Sequence, residues 1–125
     1  MQDKTSKNKE LGDAGEAAAA DYLKKQGFRI IARNVRFKQG ELDIVAERKA
    51  ELHFIEVRTR NNASFLSPIE TITEQKRRRI RKAALLFLAD ARNGFKDREL
   101  PPCFFDVVGI DILNNKIECI FDAFV

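Results

Sequence analysis

Residues 40–60, GELDIVAERKAELHFIEVRTR, predict a β-hairpin that brings two acidic side chains together. Apolar and polar residues alternate along much of both halves, and a two-residue turn at Lys49-Ala50 is the commonest way to join such strands. With that turn, Asp43 lies directly opposite Glu56. Side chains in that position have Cβ atoms roughly 4.5–5.5 Å apart, so the two carboxylates repel unless their charge is compensated.

Three kinds of compensation are open to this acid pair: a proton on one acid, a basic side chain between the two, or a divalent cation. Magnesium suits the pair because it binds through one or two carboxylates and keeps several waters. Arg58 lies two residues after Glu56 and therefore on the same face of the strand. Glu16, beside the apolar side of the first helix, completes the cluster if that helix packs on the hairpin. The simpler alternative is a solvated hairpin whose acids pair with Arg58 and Arg36.

A metal ion held by Asp43 and Glu56 can activate a water molecule and neutralise a phosphate oxygen. A cation at Arg58 can then orient that water or stabilise the charge that develops on phosphorus. The acid pair and the neighbouring base together therefore predict phosphodiester chemistry.

The rest of the chain predicts an α/β domain with a mixed central β-sheet flanked by helices, in the order α-β-β-β-α-β-β. Residues 1–9 are polar and are expected to form a flexible N-terminus, ahead of a single domain over residues 10–125. The predicted first helix covers residues 9–26, and three strands follow over 28–37, 41–49 and 51–60. A loop over 61–72 leads to a second helix, which is predicted to begin with a Thr71/Glu74 capping box and to stop at Asn93-Gly94. The last two predicted strands cover 103–113 and 116–125. The predicted core stripe of the second helix is Ile80, Ala84, Phe87, Leu88 and Ala91.

Composition excludes several classes of protein. No apolar run approaches the roughly 20 residues that a membrane helix needs, and the polar N-terminus has no apolar signal core. We therefore expect a cytoplasmic protein without a membrane partner. Cys103 and Cys119 lack metal-binding spacing and are expected to be reduced thiols. His53 alternates away from Glu56 and is expected to pack or face solvent rather than bind a ligand.

The formal net charge is +4, and much of the excess lies in EQKRRRIRK, residues 74–82. A basic helix start of this kind can lie along a phosphate backbone, although a solvated helix face is the simpler alternative. The predicted nucleic-acid-binding residues are Arg58, Arg60, Lys76, Arg77, Arg78, Arg79, Arg81 and Lys82.

The combination of GELD, a short spacer and FIEVRTR resembles the PD-(D/E)xK nuclease superfamily, which has a restriction-endonuclease-like fold. More closely, the chain is similar to the YraN-like family of small bacterial proteins. That likeness runs from about Leu11 to Val125 and includes GDAGEAAAADYL, GFRIIARNVRFKQGELDIVA, HFIEVRTR, EQKRRRIRKAALLFLA, FFDVVGI and DAFV. The resemblance implies an endonuclease of the Holliday-junction-resolvase-like branch that uses magnesium or manganese to cleave DNA.

The resemblance also implies roles for individual residues. Asp43 matches the first metal-binding acid, Glu56 the second, and Glu16 the helix glutamate of the resolvase-like branch. Arg58 occupies the place of the motif's lysine; an arginine keeps the positive charge there but cannot transfer a proton near neutral pH. Lys76 matches a lysine that is common in the family and can supply an amine from the second helix.

Three hypotheses follow. The first is a metal-dependent endonuclease that hydrolyses DNA, with branched or structured DNA as the implied substrate. The second is a nucleic-acid-binding module of the same fold that is catalytically weak or inactive, which the Arg58 departure favours. The third is an interaction protein whose basic helix docks an acidic partner. Because resolvase-like nucleases often pair so that two sites face two strands, a homodimer is also expected.

Overall fold

The computed structural model of the chain describes residues 4–60 and 67–125, with side chains from residue 10 onward. Five strands form one sheet whose spatial order is the order of the chain, β1-β2-β3-β4-β5. The contact between β3 and β4 is parallel and the other three are antiparallel. The strands are β1 Arg29–Phe37, β2 Gly40–Arg48, β3 Glu51–Arg60, β4 Cys103–Asp111 and β5 Lys116–Phe124.

Two helices, α1 Lys4–Lys25 and α2 Glu74–Ala89, cover opposite faces of this sheet. Ala19 and Leu23 of α1 pack against Ile44 and Ile55 on one face. The buried residues of α2 pack on the other face, against a second cluster that includes Val45, Leu52 and Phe54. The α/β fold class and the order α-β-β-β-α-β-β are therefore confirmed, and the architecture is consistent with a restriction-endonuclease-like fold.

The first helix begins at Lys4, earlier than the start at Lys9 that the sequence predicts. Residues 4–9 are KTSKNK, which has no apolar residue, so a method that looks for an apolar face does not detect this part of the helix. The flexible N-terminus predicted for residues 1–9, ahead of a domain over 10–125, stays a prediction.

The start of α2 corrects a second prediction. The N-cap is Thr73, whose hydroxyl accepts the backbone N–H of Lys76 at 3.1 Å, so the capping box predicted at Thr71 and Glu74 is wrong. Thr71 instead ends a short 3-10 helix, Pro68–Thr71, and its hydroxyl donates to the carbonyl oxygen of Pro68 at 2.6 Å. The first part of the loop predicted over 61–72, residues 61–66, lies outside the described residues.

The end of α2 comes earlier than the predicted stop. The backbone N–H of Asp90 donates to the carbonyl oxygens of Leu86 and Phe87 and closes the last turn. A 3-10 helix, Ala91–Asn93, follows, and Gly94 ends it with a left-handed φ of 79°. Ala91 is exposed, so its place in the predicted core stripe is wrong, while Ile80, Ala84 and Phe87 are buried and Leu88 is partly buried.

Over residues 4–60 and 67–125, neither helix has the length and apolar character needed to cross a bilayer.

Candidate active site

The register of the β2–β3 hairpin is the predicted one. Arg48 pairs with Glu51 across the turn, and the ladder continues to the pair Ile44 and Ile55. Lys49 and Ala50 have φ values of 53° and 61°, the left-handed pair that a two-residue hairpin of the primed type needs. Continuing this register by one residue places Asp43 opposite Glu56.

At Asp43 the strand departs from regular pairing. The Asp43 Oδ2 atom accepts the backbone N–H of Val57 at 2.9 Å. The residues before and after Asp43 also break the regular alternation of faces along β2. Leu42 packs in the cluster beneath α2, whereas Ile44 packs with Val57 in the cluster beneath α1. Simple alternation along β2 would put Leu42 and Ile44 on the same face of the sheet, and the structure departs from it here. The result is an open end of the hairpin with a carboxylate fixed inside it.

Glu56 stands beside this carboxylate and is buried, with 5% of its surface exposed. Burial and, second, the charge of Asp43 raise the pKa of the Glu56 carboxyl group to about 8. Two cations oppose the shift: Lys76 Nζ lies 3.7 Å and Arg58 Nη1 3.6 Å from Glu56 Oε1. The protein's own groups thus compensate the acid pair both by raising a carboxyl pKa and by placing basic side chains nearby.

Arg58 is held by the short 3-10 helix Pro68–Thr71 as well as by Glu56. Its Nε donates to the Thr71 hydroxyl at 2.9 Å, and its Nη2 donates to the Thr71 carbonyl oxygen at 3.2 Å. That helix in turn lies close to β4, because a Cβ on Gly109 would overlap the ring of Pro68. Thr71 therefore fixes the guanidinium group at the edge of the site, a contact that sequence reasoning missed.

Glu16 brings α1 into the same site. It is buried, and burial and then the Asp43 charge raise the pKa of its carboxyl group, while Arg33, whose Nε donates to Glu16 Oε1 at 3.4 Å, lowers it. Close contact of α1 with β3 is possible because residue 15 is glycine; a Cβ there would overlap the Thr59 side chain. A cavity of about 380 Å³ lies at this contact, lined by Leu11, Gly12, Asp13, Glu16, Asp43, Val57 and Thr59.

The donor set of the site consists of Asp43 and Glu56, with Glu16 next to Asp43. Within the described ranges 4–60 and 67–125, no three His, Cys, Asp or Glu side chains come together as a group that could hold a metal ion. The two adjacent carboxylates still fit magnesium or manganese, because these ions accept one or two protein carboxylates and fill the other positions with water or phosphate oxygens. Glu16 is therefore not counted as a third ligand among the described residues.

The basic residues are not gathered at one place. Lys76 and Arg58 contact Glu56, whereas Arg60 Nη2 donates to Asp111 Oδ2 at 2.9 Å on the neighbouring strand. The other bases of α2 point in several directions around the helix. Of these, Arg78, Arg79 and Lys82 are exposed, and Arg77 and Arg81 are half-buried.

His53 is buried on the face opposite the acid pair, in keeping with its predicted packing role. Its Nδ1 donates to Asp106 Oδ2 at 2.5 Å. The centre of its ring lies 5.0 Å from the ring centre of Phe28 and 5.2 Å from that of Phe104. Asp106 is a buried acid that sequence reasoning overlooked, although a lone aspartate inside FFDVVGI is a visible signal. Both cysteines are free thiols, and burial raises the pKa of Cys119 to about 12, which excludes it as a thiolate nucleophile near neutral pH.

A model of the family described as "Uncharacterised protein family UPF0102" matches residues 15–110, a range that contains Glu16, Asp43, Glu56, Arg58 and Lys76. The chain belongs to the UPF0102 family. A UPF0102 protein of Symbiobacterium thermophilum is 44% identical over 104 residues, covering 83% of this chain and 84% of the relative. One from Syntrophomonas wolfei is 41% identical over 119 residues, covering 94% and 99%. The family predicted from the YraN-like motifs is thereby confirmed.

Proposed function

We propose that this UPF0102 protein is a metal-dependent endonuclease that hydrolyses DNA phosphodiester bonds, with branched or otherwise structured DNA as its substrate. The observation that carries the proposal is the contact of the Asp43 and Glu56 carboxylates at the open end of the β2–β3 hairpin. Like charges that are brought together and partly buried are costly for a fold, so the pair is best explained as a ligand for a cation.

Asp43 and Glu56 would hold magnesium or manganese, which supplies a Lewis acid and an activated water. The Val57 N–H donates to Asp43 Oδ2 and so fixes the orientation of this carboxylate in the site. In the hydrolysis, a water oxygen bonds to phosphorus, one phosphorus–oxygen bond breaks, and the departing oxygen takes up a proton. Glu16, adjacent to Asp43, assists by accepting a hydrogen bond from a water in the cavity.

Arg58 and Lys76 together supply the positive charge and the amine group that the motif's lysine supplies alone. Arg58 remains positive at all relevant pH values and can bind a phosphate oxygen, with its orientation set by Thr71. Lys76 brings an amine to within 3.7 Å of Glu56 from α2 and so can contact the attacking water or the phosphate. The substitution of arginine for lysine at this position is therefore compatible with catalysis.

Cleavage assays test the proposal. The protein is incubated with junction, flap and linear duplex DNA in magnesium or manganese, beside Asp43→Ala and Glu56→Gln variants and a chelator control. We expect cleavage that needs the metal and falls at least ~100-fold in either variant, as expected for loss of a ligand to a catalytic ion. Equal product from wild type and Asp43→Ala on every substrate would overturn the proposal.

The Arg58 departure favours a second candidate, a DNA-binding module of the same fold without efficient catalysis. This module would bind DNA in a salt-sensitive way that persists in chelator and survives Asp43→Ala. A homodimer and a cytoplasmic location belong to the main proposal through the family resemblance, and analytical ultracentrifugation tests the first of them.

A further inference from the structure

The bases of α2 lie on two flanks of the helix. Arg77 and Arg81 form the flank that faces β5, and both are engaged within the protein. The Arg77 guanidinium lies 5.4 Å from the ring centre of Phe124, and its Nε donates to the Ile72 carbonyl oxygen at 3.3 Å. Arg81 donates to the Val125 carbonyl oxygen at 2.7 Å and to Glu74 at 2.8 Å. This flank holds the end of the chain against α2.

The opposite flank is formed by Arg79 and Lys82, which follow Lys76 at intervals of three residues along the helix. Both are exposed, and neither makes an ion pair with any side chain in the described part of the chain. Arginines elsewhere commonly have an acidic partner; Arg29 pairs with Glu47, for example, at 3.1 Å. Two uncompensated cations in line with the acid site are therefore available for an external anion.

The β1–β2 turn extends this flank. A Cβ on Gly40 would overlap the carbonyl oxygen of Arg79, so the turn and the helix are in direct backbone contact. Lys38, at the tip of the turn, is exposed and has no ion-pair partner among the described side chains. Glycine at position 40 is what lets the turn come this close, and the approach brings a third free cation beside Arg79.

We propose that Lys38, Arg79 and Lys82 form a phosphate-binding surface that tracks one duplex arm of the DNA and leads it to Lys76 and the acid pair. This inference rests on the proposed function and specifies which side of α2 the DNA uses. Residues 76–82 span about 9 Å of helix axis, and a duplex carries about five phosphate charges over that length. Flexible lysine and arginine side chains can meet several of these charges. Contacts of this kind position DNA without reading its sequence.

The test compares two charge-matched triple variants by DNA binding in chelator at several salt concentrations. One is Lys38→Gln/Arg79→Gln/Lys82→Gln. The control is Lys24→Gln/Lys25→Gln/Lys49→Gln, which removes three exposed lysines near the other end of β2. Each lost phosphate contact reduces the slope of log affinity against log salt by ~0.9, so we expect the first variant to reduce it by about 2 to 3 and to lower affinity ~10-fold or more. The control should match the wild type.

Two results would overturn the surface while leaving the nuclease proposal intact: an unchanged salt slope in the first triple variant, or an equal fall in the control. Conversely, a selective fall in slope together with no metal-dependent cleavage supports the surface and removes the nuclease proposal. Arg77→Gln/Arg81→Gln, assayed on folded protein, decides between the flanks. A loss of slope as large as that of the first triple variant would contradict the assignment to Arg79 and Lys82.

Discussion

Two buried carboxylates on neighbouring strands of this protein, Asp106 and Glu56, differ in the groups that surround them. Asp106 on β4 is fully buried and accepts two hydrogen bonds, from His53 Nδ1 at 2.5 Å and from the Asp122 backbone N–H at 2.8 Å. Glu56 on β3 is buried almost as deeply. It faces a second acid, and the nitrogen atoms of its two ion pairs lie 3.6 and 3.7 Å away.

Under the proposed function, the difference separates a structural charge from one that serves chemistry. A buried polar group that serves only the fold normally has a hydrogen-bond partner for each of its polar atoms, because an unpaired buried atom costs free energy of folding. Asp106 meets that standard and ties β3, β4 and β5 together through its two donors. Glu56 instead lies beside the Asp43 carboxylate, and its two basic neighbours are at ion-pair distance. Two adjacent acids at an open strand end suit the metal site that we propose.

Removal of Asp106 should have the largest effect on stability. Asp106→Ala removes the acceptor of the buried His53 Nδ1–H and of the Asp122 N–H, and a buried donor left without an acceptor typically costs about 1–3 kcal/mol. Urea denaturation measures this cost as a lower midpoint. Asp106→Asn, which keeps an oxygen for the Asp122 N–H, should lose less. A loss below ~1 kcal/mol in Asp106→Ala would show that this pair does not support the fold.

Glu56, in contrast to Asp106, should make the stability of the protein depend on pH, because its pKa is raised in the folded state. The folded pKa of about 8 lies above the ordinary value of 4.5, so the folded state binds the extra proton between these values. The contribution of this group to stability is therefore complete below pH ~4.5 and is lost as pH rises through about 8. Since one pKa unit corresponds to about 1.4 kcal/mol, the free energy of unfolding should fall by a few kcal/mol across this range.

Glu56→Gln removes the titrating group and should flatten this part of the curve. Denaturation in metal-free buffer at pH 5.5 and pH 9 measures the effect, and we expect the variant to exceed the wild type only at the higher pH. Asp43→Asn is a second control, because loss of the neighbouring charge lowers the Glu56 pKa and weakens the pH dependence. Parallel curves for wild type and Glu56→Gln would mean that Glu56 is as well satisfied as Asp106.

The fold and the pairing of the hairpin were predictable because they depend on local patterns. Alternation of apolar residues locates β2 and β3, and a two-residue connection fixes their register even though Lys49-Ala50 is a poor match to a primed turn. Burial on both faces of the sheet outweighs the unfavourable left-handed φ of Ala50. Hydrophobic pattern was therefore a better guide here than turn chemistry.

The details of the site were not predictable in the same way, because they depend on contacts between distant elements. The Asp43 carboxylate accepts a hydrogen bond from a backbone N–H of β3, and the alternation of apolar residues does not indicate this departure from regular strand pairing. The Thr71 hydroxyl belongs to a 3-10 turn that packs on β4, so its spacing to Glu74 was misread as a cap of α2. The approach of Glu16 depends on the close contact at Gly15, which appears in sequence only as one small residue.

The substitution with the smallest expected effect is at Thr71, and it tests whether the Thr71 hydroxyl holds the Arg58 guanidinium away from the Glu56 carboxylate. Thr71→Val removes the acceptor of Arg58 Nε, while the Thr71 carbonyl oxygen still accepts from Nη2, and so allows the guanidinium to turn closer to the Glu56 carboxylate. We expect stability to change by no more than about 1 kcal/mol, because a closer Arg58–Glu56 ion pair replaces the lost hydrogen bond. The pH dependence assigned to Glu56 should weaken. In the proposed reaction Arg58 stabilises mainly the charge that develops in the transition state, so kcat for DNA cleavage should fall ~10-fold with KM little changed. Thr71→Ser, which retains the hydroxyl, should restore both, whereas a pH curve and kcat unchanged in Thr71→Val would show that Arg58 is positioned by Glu56 itself.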